Sequence, residues 1–265
     1  MLDFAKIRAV AQTERRNTRR LVRYWVFLTI AYIFGLGAYL YYSVLHAYLS
    51  AFSASVGMVG PRYLMGAIGL YYLTGFVLGI VFLGFDVRSR DVRDGIVEVL
   101  DARPLTNVEL VFGRFLALFL SAWVPIVVLV LIIEGLGVLL PLLGASFGRT
   151  VEPLSLFNFT VYMAVPAITF AIGLVFAVTL LVRHRLIAAL VTIAAIVALY
   201  YVFFTVSGPY IPLFDYLGSA EQQFPTDIVP AVSLPGGFLQ RFGFLAIGLG
   251  LVAFAASSIA LGASG

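Results

Sequence analysis

Six long apolar stretches divide the chain: Tyr24–Leu45, Tyr63–Phe85, Leu110–Leu140, Phe159–Val182, Leu186–Val206 and Phe242–Leu261. A hydrocarbon layer about 30 Å thick is crossed by roughly 20 apolar residues in a helix, which bonds all its backbone polar groups internally. Each stretch meets that length, so the pattern predicts six membrane-spanning helices. The third is long and contains Pro125, which predicts a tilt, a kink or a break.

The polar residues between the stretches are unevenly spread. Between the second and third lies a dense run from Asp86 to Arg103, reading D-V-R-S-R-D-V-R-D-G-I-V-E-V-L-D-A-R, then Pro104-Leu105. Charges this close together cannot sit in hydrocarbon. On a helix, Val92, Ile96, Val99 and Leu100 share one face, at i, i+4, i+7 and i+8. Asp91, Asp94, Glu98 and Asp101 share the opposite face. Arg88, Arg90 and Arg93 stand at its start, and Arg103 before Pro104 ends it, because a residue preceding proline avoids the helical region. The segment reads as an amphipathic helix docking a soluble partner; the plainer alternative is a solvated helix on the membrane surface.

A second basic segment precedes the first span. Arg15, Arg19 and Arg23 fall at i, i+4 and i+8, beside Arg16 and Arg20, with Leu2, Phe4, Ile7 and Val10 upstream. Residues 1–23 are expected to form a basic amphipathic helix on the membrane surface, with its arginines on anionic lipid. A disordered basic tail is the alternative. Fourteen basic residues lie on this side of the predicted bundle against Arg62, Arg149 and Arg241 on the other. That asymmetry predicts a cytoplasmic N-terminus and a cytoplasmic 86–105 segment. Residues 24–265 would be one six-span domain.

The opposite side carries a short loop at Gly57–Arg62 and a long one at Ser207–Arg241. Five prolines in the long loop forbid one continuous helix, while Leu213, Phe214, Leu217, Phe224 and Ile228 are too apolar for a free linker; short helices dipping into the outer leaflet are expected. No signal peptide is visible, since the first apolar run is too long for one. The chain ends in Gly-Ala-Ser-Gly without a basic anchor, so the native protein is expected to continue.

Composition agrees with a membrane protein: 62% hydrophobic, 11% charged and a mean hydropathy of +1.05, where soluble domains carry roughly 25% charge. Several chemistries drop out. There is no cysteine, hence no disulfide, thiolate metal site or cysteine nucleophile. The single lysine, Lys6, cannot serve a G-x-x-x-x-G-K-[ST] nucleotide loop. His46 and His184 fall on opposite sides without neighbouring ligands, so no metal site is expected. Basic patches interleaved with aromatics are missing, and no nucleic-acid binding is expected.

A few polar groups fall within the spans. Glu134 is the one acid there; counted from Arg114 it reaches the outer interface on a straight helix, and it becomes a candidate for a substrate path only if the helix bends at Pro125. Gly75 and Gly79 form a G-x-x-x-G. Tyr39, Tyr41, Tyr42, Tyr200 and Tyr201 read as interface anchors. Thr74, Ser121, Thr169, Thr179 and Thr192 are few and mild, so any path is mostly apolar. Asn158-Phe159-Thr160 matches a glycosylation sequon by chance.

The run Arg90-Asp91-x-Arg93-x-Gly95-x-x-Glu98-x-Leu100-x-Ala102-x-Pro104-Leu105-Thr106-x-x-Glu109-Leu110-x-x-Gly113-Arg114 resembles permease subunits of type-2 ATP-binding-cassette transporters. The resemblance implies a half-transporter in a bacterial cytoplasmic membrane, an exporter by expectation. Arg90, Asp91, Arg93, Asp94, Gly95, Glu98 and Asp101 would form the coupling helix seated in a separate nucleotide-binding ATPase subunit. ATP and Mg would belong to that subunit, this chain being no enzyme and holding no cofactor. A second permease copy or a paralogue would complete the path. Glu98-Val99-Leu100 departs from the usual glutamate-leucine-leucine, and Arg114 from the commoner lysine. A membrane anchor or scaffold for a cytoplasmic complex is the second reading. Asp91-x-x-Asp94-Gly95 with Ala102-Arg103 also resembles membrane CDP-alcohol phosphotransferases, but the second aspartate pair is missing after Gly113, so a two-metal site cannot be built.

Overall fold

The computed structural model describes residues 3–52, 61–93, 106–148, 150–151, 153–182, 184–205, 214–217 and 235–262. Among these there is no strand. The elements are α1 (Phe4–Arg20), α2 (Val22–Phe52), α3 (Pro61–Arg93), α4 (Asn107–Leu142), α5 (Pro153–Phe157), a π-helical turn (Asn158–Met163), α6 (Ala164–Leu181), α7 (Arg185–Thr205) and α8 (Pro235–Gly262). Three of them, α3, α5 and α8, open on a proline, whose missing N–H costs nothing in a first turn.

Among the described residues five stretches are long and apolar enough to cross a membrane: Val22–Leu45, Asn107–Leu142, Pro153–Leu181, Leu186–Phe203 and Phe238–Ser258. The protein is an all-helical integral membrane protein. Within α3 the apolar part found among the described residues is shorter, Tyr71–Phe85. Phe34, Leu131, Leu190 and Phe242 are among many large apolar side chains left exposed, as a lipid-facing surface requires.

Helix α6 is the centre of the bundle. In the stretch it shares with α5, 72% is buried, against 22% for α7. Helices α8, α3, α4 and α7 pack around it, α2 pairs with α3, and α1 lies along α4. Glycines bring the central backbones together. A Cβ on Gly173 would collide with the Gly248 carbonyl oxygen, and one on Gly248 would meet the Phe170 amide nitrogen at 2.7 Å. Helices α6 and α8 therefore touch backbone to backbone. The G-x-x-x-G of α3 lies against α2, where a Cβ added to Gly75 would stand 3.7 Å from the Ala31 Cα and one added to Gly79 would crowd the Phe27 side chain.

The structure differs from expectation in several places. Helix α4 runs unbroken through Pro125, so of the expected tilt, kink or break the break does not occur. The expected surface helix at 86–103 does not begin as a separate element at Asp86: α3 continues to Arg93, there being no proline or glycine between Phe85 and that point to stop it. Helix α8 starts at Pro235, inside the expected long loop. Tyr39 is fully buried and Tyr200 half-buried, the latter sharing a 2.9 Å hydrogen bond with Thr74, whereas Tyr41 and Tyr201 are exposed. Asn158 is buried inside the π-helical turn, which leaves the sequon no acceptor role.

Candidate functional site

A polar joint lies where α1 meets the head of α4, the helix that follows the charged run in sequence. Helix α4 begins with a capping box: the Glu109 amide donates to Thr106 Oγ1 (3.2 Å), and the Thr106 amide donates to Glu109 Oε2 (2.9 Å). The second carboxylate oxygen of Glu109 accepts the Asp3 amide at 3.0 Å. Asp3 is itself the N-cap of α1, taking the Ala5 amide on Oδ1 at 2.9 Å. One buried carboxylate thus joins the first turns of two helices 106 residues apart.

Packing completes the joint. A Cβ on Gly113 would stand 2.7 Å from Val10 Cβ and 3.1 Å from the Ile7 carbonyl oxygen, so only glycine lets α1 seat here. One residue on, Arg114 Nε lies 3.5 Å from Glu14 Oε1. The apolar face of α1 beyond its first turn is spent on protein: Ala11 and Thr18 are buried, and Ile7 and Val10 are half-buried against α4, while Phe4 stays exposed. This alters the expected surface helix, since its apolar side meets α4 while Arg16, Arg19 and Arg20 stay exposed and Arg15 and Arg23 half-buried.

Of the residues expected to dock a partner, Arg90, Asp91 and Arg93 belong to the last turns of α3. Asp94, Gly95, Glu98 and Asp101 lie outside the described residues, as does the rest of 94–105. The 94–105 segment thus connects the end of α3 to the capped start of α4.

Sequence reasoning treated Glu109 only as part of a motif. The signal for its cap was present as Thr106-x-x-Glu109, but its bond to Asp3 is tertiary and carries no local mark.

Glu134 has a structural partner. After α4 the chain reverses through Gly144 and Gly148, both at positive φ, and the Val151 amide donates to Glu134 Oε1 at 2.7 Å. The carboxylate ties this return to the last turns of α4. Pro125 is likewise accommodated, because the Tyr24 hydroxyl donates to the Ser121 carbonyl at 3.2 Å and the Tyr32 hydroxyl to the Pro125 carbonyl at 2.8 Å.

At the other end, Arg241 was counted as an outer basic residue but is buried. It donates to the carbonyls of Asp215 and Tyr216 and stacks over Phe244 with its Cζ 5.3 Å from the ring centre. Tyr216 and Leu217 are thereby held inside the bundle.

Among the described residues no group of histidine and acidic side chains could hold a metal ion. The chain matches no protein-family model, no curated protein and no solved structure.

Proposed function

We propose that this chain is the membrane-embedded half of an ATP-driven transporter of the type-2 ATP-binding-cassette permease class. In this reading α3 completes the set of six spans as the second in chain order, the N-terminus is cytoplasmic, and the membrane is the bacterial cytoplasmic membrane. The 86–105 segment, with Arg90, Asp91, Arg93, Asp94, Gly95, Glu98 and Asp101, receives the stroke of a separate nucleotide-binding subunit. The observation that carries the proposal is the buttressed head of α4. A segment that transmits force needs a stiff recipient, and α4 begins at a capping box, is clamped by Glu109 to α1 and runs unbroken to Leu142. Closure of the ATPase subunits would then tilt α4 and α1 together, and a second permease copy or paralogue would supply the other wall of the path.

A non-transporting membrane anchor is the second reading, and one observation favours it. Buried Thr192 bonds back to its own helix at Ala188, so this interior hydroxyl is spent locally and does not line a polar path.

The deciding experiment is gentle purification of the tagged protein with mass spectrometry of everything bound. Recovery of an ATPase carrying a G-x-x-x-x-G-K-[ST] loop supports the permease. A different cytoplasmic complex on the intact fold transfers the reading to the anchor.

A further inference from the structure

The elbow between α1 and α2 carries two chemistries side by side. Helix α1 ends at Leu21, whose extended backbone (φ −78°, ψ 125°) turns the chain into α2. The Trp25 indole N–H closes the corner by donating to the Arg19 carbonyl at 2.8 Å. Arg19, Arg20 and Arg23 therefore gather within six residues of a half-exposed tryptophan. From that point Val22, Val26, Ile30 and Ile33 run down α2 at i, i+4, i+8 and i+11, exposed by 78, 49, 40 and 65%. These spacings place them along one side of the helix as a ladder below the arginines.

Each half selects against some occupants. A free inorganic anion uses the guanidinium groups but not the ladder. An uncharged lipid uses the ladder but not the guanidinium groups. Because the apolar face of α1 is occupied by α4, the arginines are held on a docked helix and do not depend on α1 entering the bilayer by itself.

We infer that the α1–α2 elbow is a binding site for an anionic phospholipid, its phosphate held by Arg19, Arg20 and Arg23 beside Trp25 and its acyl chain laid along Val22, Val26, Ile30 and Ile33. Guanidinium groups suit a phosphate because their planar N–H donors match its oxygens. A tryptophan at the polar–apolar boundary fixes the depth of the headgroup. The inference does not depend on transport. It also gives the elbow an effect on the core, since the Arg19 guanidinium lies within reach of the Tyr24 hydroxyl, which in turn holds the Ser121 carbonyl.

The test uses the whole chain in phosphatidylcholine vesicles containing an equal minor fraction of brominated phosphatidylglycerol or brominated phosphatidylcholine. Bromine quenches tryptophan at contact, and Trp25 and Trp123 are the only tryptophans. The brominated anionic lipid is expected to quench more strongly at equal mole fraction. That preference should disappear in Trp25→Phe, where Trp123 alone reports. It should fall roughly three- to fivefold for each arginine replaced by glutamine at low ionic strength, furthest in the triple glutamine variant, and be retained only in part on the triple change to lysine, which keeps the charge but not the planar donors. Circular dichroism checks that each variant is helical, and Arg20→Gln alone serves if the triple glutamine variant is not. Equal quenching by the two lipids in the unmodified protein would overturn the inference. So would a preference that persists through Trp123, one indifferent to the glutamine changes, or one abolished by inorganic phosphate, which would mark a site for free anions.

Discussion

The hydroxyl of Tyr24 donates to the carbonyl of Ser121 across 97 residues of sequence. Ser121 stands four residues before Pro125, and proline has no N–H, so this carbonyl is the one that α4 leaves without its helical donor. The phenol of α2 supplies the missing hydrogen. The proline therefore costs little here, and of the expected tilt, kink or break, the break is the outcome that the continuous α4 excludes. Tyr24→Phe is expected to destabilise the protein by about 1 kcal/mol. In a Pro125→Ala background the amide returns and the same change should cost distinctly less. Denaturant titration of the two single variants and the double variant measures that coupling; strict additivity would contradict the account.

The seat of α1 on α4 is testable through glycine. Gly113→Ala places a Cβ against Val10 and the Ile7 carbonyl, so α1 must lift. Trypsin should then cleave after Arg15 and Arg16 several-fold faster. Gly135→Ala, on the same helix with nothing within 4 Å of the added carbon, should leave the cleavage rate unchanged.

At the α6–α8 crossing the added atom would collide with backbone, which cannot swing aside. Gly173→Ala is expected to cost about 3 kcal/mol, the upper end for overpacking. Gly250→Ala, in open space on α8, should be tolerated. Thermal unfolding in detergent compares the two.

Glu134 separates a structural from a transport role. Glu134→Gln keeps an oxygen for the Val151 amide and should preserve the fold and, on the proposed permease reading, transport. Glu134→Ala should accelerate hydrogen exchange at Val151 several-fold. Loss of transport in the glutamine variant alone would return Glu134 to the substrate path.

On the proposed permease reading, Glu98→Arg should uncouple ATP hydrolysis by the partner subunit from transport in a complex that still assembles. Normal transport by the folded variant would remove Glu98 from the interface.

What the sequence made legible was the apolar helices, the charged interruption and the capping signature Thr106-x-x-Glu109. These are local: period, length and spacing follow from one helix at a time. The joints were not legible. Nothing near Glu109 indicates Asp3, nothing near Pro125 indicates Tyr24, and Arg241 resembles any loop arginine until the carbonyls of Asp215 and Tyr216 surround it. Tyr39 and Tyr200 were misread for a related reason. A tyrosine near a span end suits the interface or the interior equally, and only a neighbour such as Thr74 decides. The glycines lie between these cases: the G-x-x-x-G was visible, but its partner at Ala31 was not.

The bare contact between Gly173 and Gly248 has a mechanical consequence. Most helix pairs are separated by a layer of side chains that can change rotamer and so absorb a sliding movement. Here that layer is missing, and the two backbones meet as hard surfaces. Such a crossing behaves as a pivot: the helices can rotate about it, but small translations meet immediate resistance. If the bundle rearranges, α6 and α8 swing about this point, and the translation falls to the helix pairs still separated by side chains.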